Sequence, residues 1–111
     1  DSVDFLSNAF HPLYPSPIRP DPRPLWGILL AVHAFLPVAE LYRRMRDAGH
    51  PFTAHPGFEQ RMADLDLKNH EGMEMLRAHA RFTPPGVALF ADLEALEGRH
   101  LAERTARGLS N

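Results

Sequence analysis

The sequence predicts an all-α chain on three observations. Apolar residues recur at helical rather than alternating spacing, start and stop signals bracket three long segments, and hairpin-type turn pairs are absent. With 111 residues the chain is one domain at most, and on size it buries about two thirds of the surface its unfolded form exposes. Residues 1–111 read as a single helical domain: a short helix plus proline-rich loop over 1–24, then a helical core over 25–108 whose three long helices pack as a bundle or orthogonally.

Val3, Phe5, Leu6, Ala9 and Phe10 fit a short helix over Ser2–Phe10, or the tail of one that begins upstream. His11–Pro24 then holds six of the eleven prolines. Proline removes donors and fixes φ, so this is an extended, ordered loop in which neither a helix nor a central strand survives.

Pro24 suits the first turn of a helix running to Ala48, with Gly49 as the left-handed stop and Pro51 just beyond it. Its first half is apolar all round and its second half is charged. The pattern predicts a centrally buried first half and an Arg43, Arg44, Arg46, Asp47 end that reaches water, with a kink at Pro37.

After a loop over His50–Pro56, the stripe Phe58, Met62, Leu65, Asn69, Gly72, Leu76 and Ala80 predicts a second helix over Phe58–Arg81. Thr83-Pro84-Pro85 is a start signal, and Val87, Phe90, Leu93, Leu96 and Leu101 carry a third helix to Arg107. No segment repeats another.

Apolar residues at 44% and charged residues at 23% are ordinary for a globular domain, which argues against disorder of the whole chain. A net charge of −2 gives neither a basic footprint for nucleic acid nor an acidic tail, so small molecules, peptides or proteins are the expected partners. There is no cysteine. Disulfides and thiolate ligands are thereby excluded, any metal must use His, Asp or Glu, and a reducing cytoplasm is the expected compartment. The apolar run Leu25–Ala39 falls short of the roughly 20 residues of a membrane span and is interrupted by His33 and Pro37, so it reads as a core helix. No secretory signal precedes it, and a start at Asp1 without Met suggests part of something longer.

His33 and Glu40 stand two helical turns apart and share a face with Trp26, Leu29, Leu30 and Pro37. An imidazole and a carboxylate so placed can reach one metal, or one ligates while the other orients it. On the residues alone the commoner outcome is a hydrogen-bonded core histidine, with Glu40 paired to Arg43 or Arg44. Arg19 and Arg23 sit in the stiff proline segment at the mouth of this helix. They read as a clamp for carboxylates, or alternatively as partners of Asp21 or solvent. His70-Glu71-Gly72-Met73-Glu74 approaches the zinc-peptidase pattern His-Glu-x-x-His but has Glu at the second ligand position, so it fits a plain charged face better. His11, His50, His55, His79 and His100 are scattered and read as surface or loop residues. No nucleophile–histidine pattern and no phosphate-binding glycine loop occurs.

Pro15-Ser16-Pro17-Ile18-Arg19-Pro20-Asp21-Pro22-Arg23-Pro24-Leu25, followed by Gly27, Leu30 and His33-Ala34-Phe35-Leu36-Pro37-Val38-Ala39-Glu40-Leu41-Tyr42-Arg43-Arg44, resembles the C-terminal half of a known family. These are the His-Glu-x-x-His-motif, iron(II)- and 2-oxoglutarate-dependent peptide β-hydroxylases of ribosomal peptide natural-product clusters. In that family a proline-and-arginine segment, with Trp where this chain has Ile18, precedes a helix similar to Val-His-Ala-Phe-x-x-Val-Ala-Glu. Arg81-Phe82-Thr83-Pro84-Pro85-Gly86 also looks like the family. The similarity is strong over residues 12–46 and loose thereafter.

The resemblance implies iron(II) held by two histidines of the upstream motif with His33 as third ligand, Glu40 orienting it, and Arg19 or Arg23 meeting the carboxylate of 2-oxoglutarate or of the peptide. It implies hydroxylation at a β-carbon of a precursor peptide. This chain contains no His-Glu-x-x-His. The expected partner is therefore an N-terminal portion or a second chain bearing that motif, and the chain alone is not expected to turn over. The alternatives are a non-catalytic helical module that binds a peptide or partner chain, and, more weakly, a zinc-metallopeptidase remnant.

Overall fold

In the computed structural model residues 5–8, 13–14 and 23–108 are described. Three antiparallel helices form an all-α bundle: α1 (Leu25–Asp47), α2 (Phe58–His79) and α3 (Pro84–Ala106), with a 3₁₀ turn over Pro51–Ala54 between the first two. Two residue pairs, β1 (Leu13–Tyr14) and β2 (Arg23–Pro24), make a minimal antiparallel ladder just before α1, Leu13 opposite Pro24 and Tyr14 opposite Arg23.

The local signals set the helix ends. Gly49 takes φ +69, and behind it the N–H groups of Gly49 and His50 close onto the carbonyls of Arg46 and Met45 at 3.0 and 2.9 Å. Thr83 caps α3, its Oγ1 accepting from the Gly86 N–H at 3.3 Å, with Pro84 in the first turn where no donor is needed. Pro37 lies inside α1 without ending it. α2 stops two residues short of the expected Arg81 because the chain there pairs with the N-terminal segment instead. Leu6 bridges Phe82, the Ser7 N–H reaches the Arg81 carbonyl at 2.8 Å, and the Thr83 N–H reaches the Phe5 carbonyl at 3.0 Å. Residues 5–8 are accordingly turn and bridge, not the helix expected for Ser2–Phe10; the remainder of that segment lies outside the described residues.

Buried positions step by four and three along each helix: Leu25, Leu29, Val32, Leu36, Ala39, Arg43 in α1; Met62, Asp66, Asn69, Met73, Leu76 in α2; Gly86, Phe90, Leu93, Glu97, His100, Arg104 in α3. That alternation is the seam of a helical bundle. One end of the seam is hydrocarbon, with Leu6 fully buried in one cluster with Leu25, Leu76 and Phe90, while the other end is polar.

Two expectations for α1 need correction. Its first half is not central: it buries one face and leaves Leu30 at 52% and Phe35 at 36% exposed, because two neighbouring helices cover only one side of a third. Arg43, expected in water, is 5% exposed. Its guanidinium grips Asp66 two-pronged, at 2.9 Å to Oδ1 and 2.7 Å to Oδ2, and its Nε donates to Glu103 at 2.7 Å. Arg104 donates to the same Asp66 Oδ2 through Nε at 2.9 Å, and Arg46 holds Glu103 at 3.1 Å.

Burying a charge costs several kcal/mol per ion, which such a pair repays only with good geometry and satisfied lone pairs. Asp66→Ala should therefore lower unfolding free energy by about 3–5 kcal/mol, because it leaves the buried Arg104 without a carboxylate and Arg43 with Glu103 alone. Replacing Arg43, Asp66 and Arg104 together by Met, Leu and Met should leave stability equal or higher. Urea denaturation of both variants checks the contrast.

Candidate functional site

His33 lies on the exposed side of α1 at the edge of a cleft of about 200 Å³ lined by Phe5, Trp26, Leu29, Leu30 and Leu89. Trp26, Leu29, Leu30 and His33 come from successive turns of α1. Phe5 closes the cleft from the N-terminal segment, its ring parallel to Trp26 (3° between planes, centroids 6.4 Å apart). That segment is pinned by Asn8, whose Nδ2 donates to the His79 carbonyl at 2.7 Å and whose Oδ1 accepts from the Arg81 N–H at 2.9 Å. Gly86 lets α3 approach the Phe5 main chain so closely that a Cβ there would overlap the Phe5 carbonyl.

The imidazole of His33 has no hydrogen-bond partner among the described residues. Pro37 has no N–H, so the carbonyl of His33 also loses its usual donor four residues on. Glu40 stands about 10 Å further along the helix axis, and its carboxylate is taken up by His100 Nε2 at 2.9 Å and Arg44 Nε at 3.1 Å. The group it orients in this structure is His100. Arg19 lies outside the described residues, and Arg23 is described by its main chain, which occupies β2 beside the start of α1.

Among the described residues no three His, Asp or Glu side chains converge to hold a metal. The fit to iron(II), which in such oxygenases takes three protein ligands, is thus partial. The described residues offer one open imidazole, and further ligands would come from elsewhere. His70 and Glu74 turn to different partners, His70 Nδ1 meeting Glu97 at 3.0 Å and Glu74 pairing with Arg77, while Gly72 and Met73 between them are buried. His50 and His55 each accept through Nδ1 from a main-chain N–H two residues on, at 3.0 Å, and so serve as turn caps. His100, read from sequence as a surface or loop residue, is 3% exposed. Its position in the four-and-three register of Phe90, Leu93 and Glu97 is the signal that would have found it.

The chain matches no protein-family model, no curated protein and no solved structure.

The hydrogen bond from His100, backed by Arg44, holds the Glu40 carboxyl below its ordinary range, and burial holds His100 below its own despite Glu40. His100 is therefore neutral, with its proton on Nε2 facing a carboxylate that can only accept, and its buried Nδ1 has no partner among the described residues. Arg43 pushes His100 in the same direction as burial, while Asp66 opposes.

The sign follows from proton uptake. Below about pH 6.5 the unfolded chain protonates at this histidine and the folded chain does not, so stability is full above that pH and falls as pH drops toward the folded value. Glu40 and Glu103, both lowered, add a further loss below about pH 4.5. Urea midpoints should decline between pH 7 and 5, and His100→Gln should flatten the decline. Gly86→Ala should cost ~1–3 kcal/mol by overpacking and release Phe5 from Trp26, seen as a change in Trp26 fluorescence.

Proposed function

We propose that this chain is the helical, C-terminal part of an iron(II)- and 2-oxoglutarate-dependent peptide hydroxylase, working in the cytoplasm on the β-carbon of a residue in a ribosomal precursor peptide. The observation that supports it best is His33: an exposed imidazole without a partner among the described residues, at the lip of an apolar cleft. A histidine kept for packing would be enclosed and hydrogen-bonded.

In this reading Trp26, Leu29, Leu30 and Leu89 hold apolar surface of the peptide and keep water from the reacting carbon. His33 presents a ring nitrogen as one ligand among others supplied by a His-Glu-x-x-His portion of the assembly. Bound iron and 2-oxoglutarate would supply the oxygen-activating chemistry. Arg19 and Arg23 meet carboxylates of the co-substrate or the peptide, Arg23 being carried into position by the β1–β2 pairing that leads into α1. Glu40, through His100, fixes how α1 packs on α3 and thereby where His33 stands.

A second reading, a non-catalytic helical module, is favoured by a separate open groove between α1 and α2.

The test is the chain assembled with its histidine-bearing portion and a co-expressed precursor peptide. Iron should co-purify, one oxygen should be added to the peptide only when 2-oxoglutarate is present, and His33→Ala should remove both. Full iron content and activity in His33→Ala would remove His33 from the site. Peptide binding without oxygenation or cleavage would favour the module, and cleavage would favour the peptidase remnant.

A further inference from the structure

Depth in the His33 cleft is graded along α1. Leu29 is 1% exposed and forms the floor, Trp26 and Phe5 are half-buried and wall it, and Leu30, 52% exposed, stands at the rim with the exposed His33. Leu89 is contributed by α3. The Phe5 wall is tied down by main chain, its carbonyl accepting from the Thr83 N–H at 3.0 Å, and its ring lies parallel to that of Trp26. The cleft is therefore preformed, with two flat surfaces.

Its chemistry is one-sided. Among the described residues that line the cleft there is no Asp, Glu, Lys or Arg, and His33 is the only titratable side chain. A charged side chain seated here would leave water for hydrocarbon with no opposite charge to meet it, and an amide would lose hydrogen bonds that aliphatic walls cannot return. An apolar side chain loses nothing and removes surface from water on both partners. Size sets how much of the occupant enters: a cleft of about 200 Å³ holds about seven water-sized groups at roughly 30 Å³ each. That is room for one leucine, methionine or phenylalanine side chain, not for two neighbours at once.

Entry fixes the orientation. A side chain that reaches Leu29 enters tip first, which keeps its main chain, whose amide groups require hydrogen-bond partners, at the wet rim. The β-carbon then stands level with Leu30 and His33.

We propose that the cleft seats one uncharged, apolar side chain of a peptide, its tip on Leu29 and its β-carbon beside His33. That the occupant is a peptide rests on the hydroxylase reading, whereas the selection against charge rests on the cleft lining alone. On that reading the seated residue is the one modified, so the substrate residue is aliphatic or aromatic rather than acidic, basic or amide.

Trp26, the only tryptophan of the chain, reports on the cleft. The N-acetyl amides of leucine, aspartate, asparagine and lysine are titrated into the full chain and followed by Trp26 fluorescence and by methyl NMR of Leu29, Leu30 and Leu89. The leucine amide should give a saturable change at all four residues, and the other three should bind at least tenfold more weakly. Leu30→Asp, at an exposed position that leaves the bundle folded, should weaken the leucine amide about tenfold. Leu41→Asp, equally exposed but outside the cleft, should leave it unchanged. Comparable binding of the aspartate, asparagine or lysine amide, no saturable change with the leucine amide, or an equal loss in Leu41→Asp would each overturn the proposal. In the assembly with the histidine-bearing portion, oxygen added to an aspartate or lysine of the precursor peptide would overturn it while leaving the hydroxylase reading in place. Selective binding of the leucine amide by an assembly that adds no oxygen would support the cleft and overturn the hydroxylase reading instead.

Discussion

The Asp66 carboxylate, clasped by Arg43 from α1 and Arg104 from α3, is the contact on which the arrangement of the three helices depends. Apolar side chains alone would let the helices slide by a turn at modest cost, since one methyl fills a gap much like another. A two-pronged guanidinium–carboxylate pair has one geometry and is strongly penalised out of register. Glu103 and Arg46 extend the clasp toward the surface, so that all three helices are indexed at one end and the hydrocarbon at the other end packs in the frame so defined.

That indexing reaches both cavities. Glu40 joins His100 one turn from the clasp, which fixes the rotation of α1 on α3. With that rotation set, Leu29 and Val32 turn inward, His33 and Leu30 turn out beside Trp26, and Phe35, Val38 and Tyr42 turn toward α2. Asn69 ties its amide to the Phe35 carbonyl, two residues before Pro37, which interrupts the main-chain ladder. The polar end of the bundle thus decides which groups the apolar end presents.

The three long helices, their order and most of their ends were legible because their causes are local. Thr83-Pro84-Pro85, Gly49 and the spacing of Phe58, Met62 and Leu76 act within a few residues of themselves. What was not legible depends on residues far apart in the chain. Nothing near Arg43 announces that Asp66 and Arg104 will meet it, so charge read as solvent exposure. The helix read for Ser2–Phe10 gave way, over the residues described, to pairing with Phe82 more than seventy positions later. For the site, the sequence singled out His33 as the unusual polar group on an apolar helix, and the structure finds it open. It could not assign Glu40 to His100, whose own burial is invisible until α3 is seen to share the seam.

The contact between Phe5 and Gly86 also bears on how the chain is made. Leu6 is buried in one cluster with Phe82 and Phe90, which are synthesised some eighty residues after it. At roughly 5–20 residues per second, that leaves a greasy segment waiting for several seconds before its seat exists. Within this stretch of chain, co-translational folding therefore begins with the α1–α2 hairpin, and the segment around Leu6, though made before it, docks later.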